Sequence, residues 1–502
     1  MTTVNYKSVT NNQATALKDI PVLEYSKFAD MNVELINGNP ARHCVNYFGY
    51  HLSDKISLIC CIADDDLHQI FVSSALVEEN TELESLTFRN HNFEKFEREI
   101  HENFGIRYSD HPWLKPVRYA HNRFDKKQRI EGYPFYEADS EELHEVGVGP
   151  IHAGVIEPGH FRFICNGEQI LHLEIQLGYQ HRGIEQLFLQ KTQLLERSTL
   201  AENIAGDTVV GHTTAFVNLW ESLCGHTPDD GLHYSRILAL ELERIAIHTG
   251  DLAAVCADIA YQLGNSVYGR LRTPIVNFMQ EWGGNRLSKG LIRAGKLNFP
   301  FTAGHSKRLL EIFDSFEPDF IEITQKLFNL PSALSRMEKT GVVTYDEVLE
   351  IGTVGMAARM SGLSRDIRLS HPHNLYNSIK HKPVIKRHGD VYSRVQIRRE
   401  EVRQSISHIK GVLQNVQEIR QPLNVEMNPQ SRKFILSLVE GWRGEICHCA
   451  ITNEEGNLLV YKIKDPSHHN WMALAQSVRN NDISDFPICN KSFNLSYCGH
   501  DL

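Results

Sequence analysis

At 502 residues the chain is long enough to bury large cores, and its length suits about two to four domains. A hydrophobic share of 41% and a charged share of 23% are ordinary for a soluble globular protein. The net charge of −10 gives no basis for binding nucleic acid.

The opening stretch MTTVNYKSVTNNQATALKDI has no apolar centre behind basic residues, so it does not read as a secretory signal. No apolar run of about 18 residues appears, so any membrane attachment is expected through partners. The ten cysteines form no CxxC pair and read as reduced thiols of a cytosolic protein. The 26 histidines are scattered in polar contexts, where a surface or structural role is the default.

In chain order, residues 56–66 and 67–77 are β-branched runs joined by an acidic cluster, which predicts strand–turn–strand. Phe93, Phe96, Ile100 and Phe104 fall at helical spacing within 92–106, with charges on the other face and Gly105 as a stop. Residues 123–145 are charged, aperiodic and interrupted by Gly and Pro, and read as a linker. Residues 161–178 carry the turn Asn166-Gly167-Glu168 between strand-like halves, a hairpin signal. From 183 to 330 the apolar spacing is helical, and its longest segment fits the interior of a bundle. A further amphipathic helix is expected over 401–420, and strands at 445–453 and 457–464 around the turn EEGN. The expected fold is an α+β domain followed by a mainly helical bundle with peripheral β-hairpins.

Several blocks resemble a known family. FEKFEREIHENFGIRYSDHPWL (93–114) is similar to the 30 kDa-type subunit of respiratory complex I. VGVGPIHAGVIEPGHFRF (146–163), LGYQHRGIEQL (177–187), GTVGMAARMSGLSRDIR (352–368), GDVYSRVQIRREEV (389–402) and VEGWRGE (439–445) resemble the large subunit of group 4, energy-converting [NiFe] hydrogenases and the complex I 49 kDa subunit. The resemblance implies a fused chain of the formate-hydrogenlyase type. Its parts would be a 30 kDa-like domain at 1–125, a linker at 126–145 and a large-subunit-like domain at 146–502. It also implies an iron–sulfur small subunit, carrying its own cluster, and antiporter-like membrane subunits as partners. The expected location is the cytoplasmic face of the membrane, held there by those partners.

Chemistry is a separate matter from fold. The family's nickel–iron centre is held by four thiolates in two CxxC pairs, soft ligands that suit both metals. Set in register on His212, the four positions fall on Ala205, Thr208, Ser496 and Gly499, none of which is a thiolate. The resemblance therefore implies a member without the nickel–iron centre, in which hydrogenase activity is not expected. Quinone reduction in complex I uses a histidine, matched by His152, and a tyrosine, whose position is Gly206; Tyr179 and Tyr497 are alternative donors. His152, His181, Arg182, Glu185, Glu202, Asp207, His212, Arg443 and Glu445 are expected to converge on one polar cavity. That cavity reads either as a proton relay or as a structural ion-pair network.

Other signals have blander readings. Cys447-His448-Cys449 on a strand sends both thiols to one face and His448 to the other, as core side chains. Cys489, Cys498 and His500 are candidates for a replacement mononuclear metal. His371, His373, His468 and His469 read as loop surface, and Glu241, Glu243, Arg244 and His248 as a solvated or inter-subunit helix face. Nothing has the spacing of a nucleotide-binding loop. Three functions stand side by side: coupling of electron or proton transfer to ion translocation, a non-redox cap on a membrane arm, and quinone reduction through His152.

Overall fold

The computed structural model describes residues 5–152, 156–420 and 426–502. The N-terminal sheet runs Lys7–Val9, Gln69–Val77, Lys55–Asp64, Arg42–Leu52, antiparallel throughout, with Val22–Leu23 added parallel to Gln69–Val77. Its central strand explains the unbroken apolar text ISLICCIA. Side chains alternate across a strand. Ile56, Leu58, Cys60 and Ile62 join one core with the helices Tyr25–Asn37 and Glu94–Phe104. Ile59, Cys61 and Ala63 join another with Phe434, Leu436 and Cys449 of the last sheet. The sheet is buried on both faces, so alternation of apolar with polar residues is missing.

The expected helix over 92–106 forms as a short 3-10 turn and then Glu94–Phe104, ended by Gly105 in the left-handed region at φ 68°. Its charged face is not solvated, however. Glu94, Glu97, Arg98, Glu99 and Glu102 are all buried. Glu97 accepts from Leu86 N, Thr87 N, Thr87 Oγ1 and Ser85 Oγ, and Glu102 from Val117 N, Arg118 N and Ala120 N. These carboxylates terminate loose backbone that would otherwise be buried without partners.

Residues 123–143 hold only the 3-10 turn Ile130–Gly132. The hairpin His160–Asn166 with Gln169–Gln176 gains a third strand, His144–Val148, drawn from the end of that linker. Helices Val209–Leu223, Asp230–Asp258, Gln262–Gly283, Ala303–Phe328 and Val391–Asn415 make the bundle. The last begins ten residues before the amphipathic window, because Asp390 caps it by accepting from Ser393 N. Arg394 and Arg398 interrupt the apolar spacing of that first stretch, yet both are buried.

The final sheet is four-stranded, in the order Leu458–Lys464, Glu445–Thr452, Lys433–Glu440, Thr15–Ala16. Thr15–Ala16 ties the beginning of the chain to this last sheet. Cys447 and Cys449 face the N-terminal sheet, while His448 faces the bundle, as alternation requires. Three short helices follow, Ser467–Ser477, Phe486–Phe493 and Tyr497–Asp501. His468 and His469 lie in the first of them and are buried, as are His371 and His373, so none is loop surface. The architecture is α+β at the N-terminus, then a helical bundle with peripheral antiparallel sheets. Among the described residues no helix is long and apolar enough to cross a membrane.

Candidate functional site

Three segments meet behind the last sheet: the turn before helix Val209–Leu223, the loop Gly441–Gly444 and the chain end from Asn494. Arg443 fastens them. Its guanidinium donates to both Asp207 carboxylate oxygens at 2.6 Å, to Thr208 Oγ1 at 3.0 Å and, through Nε, to the Asn494 carbonyl. It lies 4.0 Å over the Trp442 ring, and Trp442 Nε1 donates to the Asp207 carbonyl at 2.9 Å. Burial alone would lower the Arg443 pKa, but Asp207 more than offsets it and the group stays charged. Arg182 fastens the same segments from the other side. It donates to the carbonyls of Asn203, Ile204 and Cys498 at 2.6, 2.8 and 3.1 Å. His212 closes the floor, with Nδ1 3.1 Å from His448 Nε2 and Nε2 3.0 Å from Asp465 Oδ2.

The loop itself is locked by backbone against backbone. Gly444, at φ 134°, and Gly355, at φ 61°, lie face to face. A Cβ on Gly355 would sit 2.2 Å from Gly444 Cα, and one on Gly444 would sit 2.6 Å from Gly355 Cα. The glycines of the GTVGM and WRGE blocks therefore have one cause, since only two hydrogens fit between these segments.

The four positions that the resemblance gives to thiolates line this cradle without metal-binding chemistry. Ala205 and Thr208 are buried, and Thr208 Oγ1 is engaged by Arg443. Ser496 Oγ accepts from Gly499 N at 2.9 Å, capping the last helix. A Cβ on Gly499 would meet Asp465 Oδ2 at 2.7 Å, so a longer side chain has no room there. The donors present do not fit a nickel–iron group. Cys489, Cys498 and His500 do not assemble either. Cys489 packs on Gly341, Cys498 on Ser496, and His500 stacks on His468. Among the described residues no three His, Cys, Asp or Glu side chains are placed to share a metal ion.

Residues 12–137 match the family described as respiratory-chain NADH dehydrogenase, 30 Kd subunit. Residues 264–433 match respiratory-chain NADH dehydrogenase, 49 Kd subunit. The chain belongs to the fused 30 kDa–49 kDa family of complex I and group 4 hydrogenase subunits. Hydrogenase-4 component G of Escherichia coli (strain K12) is 26% identical over 388 residues, which are 77% of this chain and 67% of that protein. Formate hydrogenlyase subunit 5 of the same organism is 26% identical over 392 residues, 76% of this chain and 68% of that protein. An NADH-quinone oxidoreductase subunit of Phocaeicola vulgatus is 26% identical over 406 residues, 73% of this chain and 76% of that protein.

In this fused subunit the nine expected cavity residues do not share one cavity. Arg182, Asp207, His212 and Arg443 meet at the cradle. Glu445 turns toward the N-terminal sheet, where it bonds His43 Nε2 at 2.8 Å and Lys464. Burial raises its pKa, but Lys464 and His43 prevail and hold it well below the usual range. Glu185 accepts from Ile463 N and Lys462 Nζ at 2.8 and 2.9 Å on the seam with Glu99. His181 lies on that seam too, its Nδ1 bonded to the Asp501 carbonyl at 2.8 Å and its pKa pushed down to about 4 by burial. Glu202 points away to Arg293 and Gly290 N, at 2.5 and 2.6 Å. His152 Nε2 donates to the Gly159 carbonyl at 2.8 Å. Tyr497 packs on that same glycine, where a Cβ would lie 2.6 Å from its ring, so His152 and Tyr497 are neighbours. Tyr179 is occupied with Gln176 Oε1 at 2.8 Å.

An ion-pair core lies directly behind the cradle, where the sequence suggested a solvated face. Glu241, Glu243, Arg244 and His248 are buried. Glu401 binds Arg359 at 2.5 Å and His248 at 2.7 Å, with Arg244 and Arg368 within 3.6 Å. Asp366 binds Arg368 at 2.8 Å and His381 at 3.0 Å, and Glu440 binds Arg359 at 2.8 Å. Glu241 holds Arg244 and Arg368 at 3.5 and 3.4 Å. Arg244 also donates to the carbonyls of Glu440 and Gly441, the start of the Arg443 loop. Arg244 and His248, one helical turn apart, both contact Glu401. One signal for burial was available: Ile237, Leu238, Leu240, Leu242 and Ile245 leave this helix no polar side.

Proposed function

We propose that this complex I-like large subunit works in the peripheral arm of a membrane-associated, hydrogenase-4-like complex without a nickel–iron centre. There it docks an iron–sulfur small subunit and antiporter-like membrane subunits, and couples electron or proton transfer to ion translocation. The observation that carries this reading is the cradle itself. Its four ligand positions are Ala205, Thr208, Ser496 and Gly499, while Arg443 and Asp207 pair across the space between the two segments.

The chain's own residues are suited to hold charge rather than metal. Arg443 and Asp207 pair at the cradle, and the carboxylate–guanidinium core lies behind it, tied to the Arg443 loop by Arg244, which donates to the Glu440 and Gly441 carbonyls. Ionisable groups of mixed sign at such distances shift one another's proton affinity, which suits the passage of a proton. The test is purification through a tag on this chain from detergent-solubilised membranes. Co-purifying membrane subunits and a reducible iron–sulfur signal by electron paramagnetic resonance are expected. A complex with membrane subunits but no reducible cluster would instead favour a cap without redox work, and a chain recovered alone would overturn both.

A second reading, quinone reduction, is favoured by the proximity of His152 and Tyr497 around Gly159 and by open space at Gly206. A His152→Ala complex that keeps full quinone-reductase activity would exclude it.

A further inference from the structure

Between helix Glu94–Phe104, the loop around Trp113 and helix Ser467–Ser477 lies a cavity of about 350 Å³. It is separate from the cradle and none of the expected site residues lines it, His500 apart. Its apolar walls are built by Trp113, Leu173, Leu177, Trp471 and Met472. Its volume falls within the range of small-molecule sites.

The charges that line it do not balance. Arg98 is matched by Glu94 at 2.5 Å, and Glu174 by Lys115 at 2.7 Å. That leaves Lys95 and Arg479 with no carboxylate partner among the described residues. The nearest polar atom bonded to Lys95 Nζ is His500 Nε2, at 3.4 Å. His172 Nε2, also on the lining residues, is buried with no hydrogen-bond partner. An ammonium whose only bonded neighbour is a ring nitrogen, with no carboxylate partner and beside aromatic walls, calls for a ligand that brings the missing anionic acceptor.

We propose that this cavity is a binding site for a small organic anion with a flat apolar body, an aryl carboxylate in chemical class, whose carboxylate accepts from Lys95. The aromatic walls take the body, and the charge-assisted hydrogen bond supplies selectivity for an anion over its neutral isostere. Glu94, Arg98, Arg118, His468, His500 and Asp501 surround the amine. Burial, ahead of these charges, brings its pKa down to about 7. An anion prefers the ammonium form, so affinity is full below that pH and falls as pH rises through it.

The test is a titration of the full chain with 1-naphthoate and with neutral 1-naphthamide, followed by tryptophan fluorescence. Naphthoate is expected to bind saturably and roughly tenfold more tightly than the amide. Lys95→Met is expected to remove that preference and its pH dependence, with the thermal transition retained. Lys95→Arg is expected to keep the preference and lose the pH dependence, since guanidinium does not titrate in this range. Equal affinity for the two probes, a preference that survives Lys95→Met, or no saturable binding of either would overturn the proposal.

Discussion

The ion-pair core holds four carboxylates, Glu241, Asp366, Glu401 and Glu440, against three guanidiniums, Arg244, Arg359 and Arg368. One proton restores neutrality. Glu440 is where it sits: burial first, and then Asp366, raise its pKa from 4.5 to about 7. His248, His373, His381 and His408 border the same cluster. His373 is kept neutral by burial first and then by the Arg368 and Arg244 charges, and its Nε2 accepts from Glu440 N at 3.2 Å. A carboxyl with a raised folded-state pKa binds a proton in the native chain that the unfolded chain releases. Its stabilisation is therefore fully present below the unfolded value of 4.5 and is lost as pH rises from there through the folded value of about 7. Glu440→Gln removes that proton equilibrium while keeping the shape. It loses one acceptor, because Glu440 Oε1 and Oε2 serve Arg359 and Ile367 N respectively. The variant should be less stable than the parent at every pH, but the difference should shrink by about 2–3 kcal/mol between about pH 5 and about pH 8. Urea denaturation of both chains at each pH reads this directly. A cost that stays constant across the range would refute the assignment of the shared proton to Glu440.

Arg443→Met should loosen the cradle. Asp207 is 38% exposed, so the lost ion pair counts for little, and the hydrogen bonds to Thr208 and Asn494 bring the expected cost to about 2 kcal/mol. Hydrogen exchange should quicken at 203–208 and 494–499 and nowhere else; unchanged protection there would contradict the fastening role. Gly499→Ala should cost about 1–3 kcal/mol, because Asp465 is held by His212 and Ser467 N and cannot yield to the new methyl. A neutral or raised melting temperature would show that the cradle has slack. Gly444→Ala, which would press on the Gly355 backbone, should cost more than about 3 kcal/mol and be read as loss of a cooperative transition.

Much of the fold was legible because local signals agreed with it. Gly105 stopped its helix, the Asn166–Glu168 turn made its hairpin, and Cys447 and Cys449 fell on one face of a strand. The errors share one physical origin, which is charge buried in company. Arg394, Arg398, Glu241, Arg244 and the helix 94–104 carboxylates look solvated by composition, yet the first four find partners far away in sequence, while Glu97 and Glu102 bond groups of neighbouring loops. No periodicity reveals such pairs. The strand Lys433–Glu440 was missed because its apolar run borders text without a clear turn, and its partner Thr15–Ala16 lies at the other end of the chain. At the site, motif order located the cradle segments. It did not show that Glu185, Glu202 and Glu445 leave on three different sides, because the direction of a side chain from a turn is set by packing.

The central claim is that this member of the family carries the scaffold without the nickel–iron centre. Metal analysis of the purified native complex, from cells whose other nickel enzymes are fully loaded, tests it most directly. Iron from the partner's cluster with no nickel above background is the expected result. Nickel in stoichiometric amount, lost when Arg443 or Asp207 is replaced, would contradict the account.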